Sequence, residues 1–281
     1  MTDAFPPAPQ EIPSGIRLVE GSVTATPGFS AGTVACGIKS EAGTPDLAML
    51  VADRPCVVAG TFTTNKAPSH TVTLCREHLL ASGNRGQAVV VNSGNANCAN
   101  GAQGDHDARQ MAALTAKKLG LDEHLVYVSS TGIIGRPLPM EKVERGIADV
   151  QPIPDGGPAF TRGIMTTDTR PKDIAVELTV DGKTVRIGAA TKGAGMIYPN
   201  MATMLCYITT DVAAEAGFLT QTLRSLVDAS FNMICMDGDM STNDTVLIFA
   251  SGAAGNTPLQ VGSQGAAAFT EALGFVTRYL A

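Results

Sequence analysis

The sequence predicts an α/β protein, a layered α+β sandwich in which mixed sheets lie between helices. Apolar strand-like runs come mostly in pairs, helical stretches lie between or after them, and two runs are joined by a hairpin signal. This order differs from the strict strand–helix–strand alternation of a parallel sheet. The chain has 281 residues, of which 44% are hydrophobic and 16% charged, so it is long enough to bury a sizeable core.

Eight strand-like runs support this prediction. They comprise residues 47–51, 56–62, 88–92, 126–129, 174–180, 184–190, 203–209 and 245–250. The segment from Val180 to Thr184 places an Asp-Gly pair between the fifth and sixth runs. That pair is typical of a two-residue β-hairpin between strands that alternate apolar and polar residues.

Four stretches with the apolar spacing of helices complete the pattern. They comprise residues 105–119, 140–150, 213–231 and 264–280. In the first stretch, Asp105 is expected to cap the N-terminal end, and Gly120 follows the last residue, where glycine often ends a helix. Paired strands with helices between them indicate layers built on antiparallel or mixed sheets.

Composition argues against several kinds of partner. The net charge is −6 without any basic block, which argues against nucleic acid, and no apolar run has the length of a membrane helix. The N-terminal residues are rich in proline and lack the pattern of a signal peptide. The 6 cysteines form no CxxC pair and the 4 histidines lack metal-ligand spacing. We therefore expect a cytoplasmic protein with reduced thiols and without a metal site.

Two polar clusters follow predicted strands, where loops often build functional sites. Residues 92–97 read NSGNAN, which suits either a site loop held by side-chain hydrogen bonds or an ordinary Asx turn. Residues 129–135 read SSTGIIG. Here Thr131 and Gly132 could direct a hydroxyl and a main-chain N–H at one point, which is the geometry that an oxyanion requires. An ordinary strand-to-helix turn is the alternative.

A third cluster, residues 164–172, places three threonines around Asp168. These residues could supply hydrogen bonds to a substrate, with Asp168 binding a substrate ammonium. A solvated turn centred on the aspartate is the alternative interpretation of the same residues.

Residues 192–205 read KGAGMIYPNMATML and deliver one hydroxyl residue, Thr203, to the start of a predicted strand. A phosphate-binding loop places its lysine after the glycines, whereas Lys192 precedes them. If the chain is cut between Ala202 and Thr203, the new α-amino group has a pKa of about 7.7–8.0. That amine can accept the proton of its own hydroxyl, which activates the threonine as a nucleophile. We therefore interpret this segment as a self-cleavage site, formed when the Thr203 hydroxyl attacks the Ala202 carbonyl.

Residues 192–205 also carry a resemblance, together with five further motifs in the same order along the chain. These are GTFTTN at 60–65, VVVNSGNAN at 89–97, STGIIG at 130–135, IMTTDT at 164–169 and a segment at 231–244 that ends in DGDMSTND. The chain resembles the ornithine acetyltransferase (glutamate N-acetyltransferase) family of arginine biosynthesis from about residue 28 to residue 250. The resemblance implies the layered fold of self-processing proteins with an N-terminal threonine.

The resemblance also implies roles for single residues. Thr203 becomes the N-terminal nucleophile of a β chain (203–281), while 28–202 forms the α chain after an N-terminal segment (1–27). Thr203 takes acetyl from N2-acetylornithine and passes it to glutamate, and bifunctional members also use acetyl-CoA. Thr131 and Gly132 correspond to the oxyanion hole, and Thr169 and Lys192 correspond to substrate-binding positions. The family forms αβ pairs that associate further into heterotetramers, and no cofactor is implied.

The sequence departs from the family at its C-terminal end. It stops at Ala281, before a Gly-Glu-Gly-Ala-Thr-Lys motif, and Met240 stands where members commonly have threonine. We therefore expect a C-terminally shortened member. Two alternatives to the acetyltransferase remain open: a catalytically incomplete fragment of the family, and an N-terminal-nucleophile amidase or peptidase that uses water as the acceptor.

Overall fold

A mixed β-sheet organises the part of the chain that the computed structural model describes, residues 11–195, 204–235 and 237–281. Its nine strands are β1 (Ile16–Val19), β2 (Phe29–Val34), β3 (Leu47–Phe62), β4 (Arg85–Asn95), β5 (Val126–Ile133), β6 (Lys172–Val180), β7 (Lys183–Lys192), β8 (Leu205–Thr210) and β9 (Thr245–Ala250). They lie in the order β1-β6-β7-β8-β9-β3-β4-β5, and β2 pairs with β3 beside this path. The β4–β5 and β8–β9 pairs are parallel, and the other pairs are antiparallel.

Helices cover both faces of this sheet. They are α1 (His70–Ala81), α2 (Gly101–Leu119), α3 (Met140–Asp149), α4 (Gly157–Ile164), α5 (Ala216–Asp228) and α6 (Ala266–Leu280). Along β8, Leu205 and Tyr207 pack into one core with α1–α4, whereas Cys206 and Ile208 pack into a second core with α5 and α6. Since neighbouring residues of a strand point to opposite faces, the sheet lies between two helical layers. The predicted fold class is confirmed.

Local signals in the sequence located several elements well. Asp181 and Gly182 have φ angles of 50° and 72°, as a hairpin turn of this type requires, and they join β6 to β7. Gly120 ends α2 in the left-handed conformation, with a φ of 68°. The runs 47–51 and 56–62 form one strand whose register shifts between them. That shift explains the break in the sequence pattern.

Other expectations were wrong or incomplete. Helix α2 begins at Gly101 with Asn100 at the cap position, so Asp105 does not cap it. The Asp105 carboxylate instead lies 2.7 Å from the Nδ1 atom of His70. Strands β1 and β2 and helices α1 and α4 were not predicted. The run 203–209 corresponds to β8, which begins at Leu205, and Thr203 lies outside the described residues. Across the described ranges, no helix has the length and apolarity to cross a membrane.

Candidate active site

A cavity of about 820 Å³ opens where β4, β5 and β7 end. The described residues that line it include Lys39, Gly94, Thr131, Gly132, Arg136, Lys142, Thr166, Lys192, Ser241 and Asn243. The ends of the parallel strands β4 and β5 thus meet the end of β7 and the segment that leads into β9. Four cationic side chains and several hydroxyl groups make the cavity suited to an anionic, hydrogen-bonding ligand.

The turn at Thr131 and Gly132 forms one wall of this cavity. Thr131 is buried in β5, and Gly132 has a φ of +136°, a conformation that side chains rarely adopt. A β-carbon at Gly132 would lie 2.3 Å from the carbonyl carbon of Gly94. Glycine is therefore required for the ends of β4 and β5 to approach each other. The result is a hydroxyl and a main-chain amide in consecutive residues beside the cavity.

Lys192, the last residue of β7, places a buried ammonium group against this turn. Its Nζ atom donates to the Thr131 hydroxyl at 3.2 Å and to the Thr166 hydroxyl at 2.7 Å. Only 2% of the residue is exposed, and burial lowers the pKa of its ammonium, although the nearby Asp168 opposes that shift. Because an ammonium can only donate, Thr131 must accept, and its own hydroxyl hydrogen stays available to another acceptor.

Asp168 is a buried carboxylate that pairs with Lys192. Its side chain is fully buried; one oxygen accepts the N–H of Gly193 at 2.7 Å and the other lies 4.0 Å from Lys192 Nζ. Lys172 forms a second ion pair with it at 3.2 Å. Burial raises the pKa of the Asp168 carboxyl, but Lys192, the Gly193 N–H and Lys172 outweigh burial and hold that pKa below its usual value. Asp168 is thus paired within the protein interior, and its binding of a substrate ammonium stays a prediction.

Asparagine side chains brace the turn. The Ser130 hydroxyl donates to the Asn92 side chain at 2.6 Å, and the Asn92 amide donates to the carbonyl of Asn95 at 2.8 Å. The Asn243 amide donates to the carbonyls of Ala96 and Ser130, each at 2.7 Å. An Asx turn is also present, since the Asn95 side chain accepts the N–H two residues later at 2.8 Å. The 92–97 cluster thus combines an Asx turn with side-chain hydrogen bonds that hold the loop, and its part in a functional site stays a prediction.

The structure brings together three of the site residues expected from the sequence. Thr131, Gly132 and Lys192 line one cavity. Thr169 is exposed and does not line the cavity, so a substrate role for Thr169 stays a prediction. Thr166 of the same cluster lines the cavity instead and contacts Lys192.

Ala202 and Thr203 lie outside the described residues. Sequence reasoning missed Lys39, Arg136 and Lys142 as cavity residues. They are far apart in the chain and form no motif. The sequence pointed only to Thr166 among the additional cavity residues, because it lies in the threonine-rich cluster 164–172.

The architecture has counterparts among proteins of very different sequence. A Burkholderia sp. beta-aminopeptidase is 15% identical, with a TM-score of 0.55, over 95% of this chain and 88% of its own. The l-aminopeptidase d-ala-esterase/amidase from Ochrobactrum anthropi, described as a new variant among the ntn hydrolase fold, is 12% identical, with a TM-score of 0.53, over the same shares. At these identities the likeness defines a class of fold alone: a mixed sheet between helices, of Ntn-hydrolase type.

Closer similarity identifies the family. The chain belongs to the ArgJ family, which it matches over residues 30–281. It is 48% identical to the arginine biosynthesis bifunctional protein ArgJ of Symbiobacterium thermophilum, over 95% of this chain and 66% of that protein. It is 45% identical to the glutamate N-acetyltransferase of Methanocaldococcus jannaschii, over 95% and 64%. The chain therefore spans a little under two thirds of the length of these relatives.

A solved structure of a relative agrees in fold and sequence. The ornithine acetyltransferase of Mycobacterium tuberculosis, determined in complex with ornithine, is 35% identical with a TM-score of 0.60. The match covers 68% of this chain and 100% of the solved one. Family membership thus rests on both sequence and structure.

Proposed function

We propose that this chain is an acyltransferase that cleaves itself between Ala202 and Thr203 and then moves acetyl from N2-acetylornithine to glutamate. One observation carries the proposal. The cavity holds the Thr131–Gly132 turn in contact with Lys192, and Lys192 pairs with Leu205 across the β7–β8 register. Leu205 is two residues from Thr203, which supports a nucleophile that acts beside the Thr131–Gly132 turn, here called the oxyanion turn.

Self-cleavage needs only the chain's own groups and one water molecule. The Thr203 hydroxyl oxygen attacks the carbonyl carbon of Ala202, and the peptide C–N bond breaks as the hydroxyl proton passes to the nitrogen. Water then hydrolyses the resulting ester and leaves a carboxylate at Ala202. The β chain starts with a free amine and a free hydroxyl on one residue, the pair that an N-terminal nucleophile requires.

Acetyl transfer repeats the same attack on a substrate. The Thr203 hydroxyl attacks the acetyl carbonyl of N2-acetylornithine, its proton passes to the α-nitrogen, and ornithine leaves. The glutamate amine then attacks the acetyl-threonine ester and restores the hydroxyl. Both steps pass through an oxyanion, and the Thr131 hydroxyl and the Gly132 N–H are suited to bind it because the Lys192 ammonium already occupies the Thr131 acceptor side.

Charge on the cavity wall suits amino-acid substrates. Lys39, Arg136 and Lys142 line the cavity together with Lys192, and cations of this kind bind carboxylates. We infer that these four cations receive the α-carboxylates of the two amino acids, and that Thr169, outside the described lining, adds a further substrate contact. Acetyl-CoA is the proposed second acetyl donor. The described part of the chain carries 6 free cysteines, which suits a reducing cytoplasm.

Mass spectrometry of the purified chain tests cleavage. We expect two pieces, residues 1–202 and 203–281, and an intact Thr203→Ala protein. Incubation with N2-acetylornithine and glutamate should yield ornithine and an equal amount of acetylglutamate, whereas without glutamate the release should stop at one ornithine per active site. Continued ornithine release without glutamate would indicate an amidase, and a wild-type chain that stays whole would refute the proposal.

A further inference from the structure

Asp244 is a buried carboxyl group just before β9, and the proposed reaction leaves it without a role. It has no exposed surface, and its Oδ1 atom accepts the main-chain N–H of Met204 at 3.0 Å. The next residue, Thr245, donates its own N–H to the carbonyl of Met204 at 3.1 Å. Two consecutive residues therefore hold the main chain of Met204 at both its N–H and its carbonyl.

Met204 directly follows the proposed nucleophile. Three backbone bonds separate the nitrogen of residue 203 from that of residue 204, which limits their distance to about 4 Å. We propose that Asp244 is a positioning residue for self-cleavage: its carboxyl holds the N–H of Met204 and so fixes the main chain beside Thr203. This inference rests on the proposed cleavage at Ala202–Thr203.

The surroundings of Asp244 indicate which form of the carboxyl acts. Burial raises its pKa to about 8, and the Met204 N–H, the Ser241 hydroxyl and the Lys192 ammonium offset burial only in part. Lys192 is itself shared with Asp168, which Lys172 also faces. These conditions favour a neutral acid at pH 7.

A neutral acid suits the cleavage step. Its carbonyl oxygen can accept the Met204 N–H without a negative charge beside the oxyanion that forms when Thr203 attacks. Asparagine has the same shape and offers the same acceptor at every pH. Asp244→Asn should therefore reproduce the neutral acid, whereas Asp244→Ala removes the acceptor.

Asp211 provides a matched control at the opposite end of β8. It is also buried, and its Oδ1 atom accepts a main-chain N–H, that of Arg186, at 2.8 Å. Its carboxyl holds the chain in the same manner but lies at the strand end away from Met204. Asp211→Asn and Asp211→Ala thus test the general cost of losing a buried carboxyl.

The full chain is pulse-labelled by cell-free synthesis and then incubated at pH values between 6 and 9. Denaturing electrophoresis follows its cleavage over time. We expect Asp244→Ala to slow cleavage about 100-fold, the cost of a misplaced reacting group. Asp244→Asn should cleave at nearly the wild-type rate at pH 7. Above pH 8, the wild-type rate should fall relative to Asp244→Asn by about tenfold per pH unit. The Asp211 variants should keep the wild-type rate and pH profile.

The outcomes separate the two proposals. A wild-type chain that stays whole at every pH refutes self-cleavage itself. If the wild type cleaves, an Asp244→Ala protein that cleaves equally fast overturns the role of Asp244. If Asp244→Ala fails to fold, as judged by protease resistance, Asp244→Asn provides the test. A ratio of the Asp244→Asn cleavage rate to the wild-type cleavage rate that stays constant with pH overturns the inference.

Discussion

The ammonium nitrogen of Lys192 lies 3.2 Å from the hydroxyl oxygen of Thr131, although the two residues are 61 positions apart in the chain. The contact joins the end of β7 to the end of β5. It fixes the direction of the Thr131 hydroxyl, because the oxygen accepts from lysine and the hydrogen must point elsewhere. Lys192 is thereby an electrostatic part of the proposed oxyanion turn as well as a candidate substrate contact.

Replacing Lys192 by methionine should abolish that orientation while keeping an unbranched side chain that is one atom shorter. We expect kcat for acetyl transfer to fall by about 10²–10³-fold, the usual cost of losing one oxyanion donor. Asp168 keeps Lys172 and the Gly193 N–H as partners, so the variant should still fold. Steady-state kinetics on the purified protein measure the loss. Lys183→Met, an exposed change at the other end of β7, is the control and should leave kcat unchanged.

Local chemistry explains which parts of this structure the sequence predicts. The Asp181–Gly182 hairpin depends on two adjacent residues, and the Thr131–Gly132 turn depends on a strand end, so each leaves a short and readable pattern. Helix α1 has Thr71, Val72 and Thr73 in its first turns. These β-branched residues favour strands, and tertiary packing against the sheet overrides that preference.

The cavity wall could not be predicted in the same way. Lys39, Arg136 and Lys142 meet only because the chain order of the sheet brings their loops together. In the cluster 164–172, Thr166 faces Lys192 because of the conformation of the turn. The sequence could not distinguish it from the other threonines of the cluster, since they are the same residue type. Asp244 is recognisable only once Met204 is seen beside it.

Gly132→Ala should both destabilise the protein and disable the oxyanion turn. The new β-carbon would overlap the main chain of Gly94 and Asn95, at 2.3 and 2.5 Å. We expect a loss of about 3 kcal/mol or more from the combined clash and backbone strain. Gly135→Ala is a matched control in the same loop, since Gly135 also has a positive φ of 75° but no atom within 4 Å. It should cost only about 1–2 kcal/mol in urea denaturation. Equal losses for both variants would contradict the close approach of β4 and β5.

Asn243→Ala should separate stability from activity. The change leaves the carbonyls of Ala96 and Ser130 without their donor, at a cost of about 1–3 kcal/mol. Asn256→Ala removes a similarly buried amide that binds Ala213 and Thr257, far from the cavity, and should cost a similar amount. Only Asn243→Ala should also lower kcat, because it frees the strand end that carries Thr131. Parallel losses of activity in the two variants would show that Asn243 does not position the turn.

Asp244 should make the stability of the intact chain depend on pH. The unfolded chain ionises this carboxyl near pH 4, whereas the folded chain retains the proton until its pKa of about 8. Between these values the folded state binds the extra proton, so the free energy of unfolding falls as pH rises, by up to about 1.4 kcal/mol per unit. Urea denaturation of the Thr203→Ala protein from pH 4 to 8 measures this decline. Adding Asp244→Asn should flatten the curve, whereas adding the exposed Asp155→Asn should not.

The two pieces made by the proposed cleavage should remain one particle. Strand β7 of the first piece pairs with β8 of the second along Ile187–Lys192, and β3 of the first pairs with β9 of the second along Val57–Phe62. Both helical cores contain residues from the two pieces, so separation would expose apolar surface on each. In size-exclusion chromatography the cleaved protein should elute at the volume of the intact Thr203→Ala protein and separate only in denaturant. Elution of free pieces at micromolar concentration would mean that the shared sheet does not hold them together.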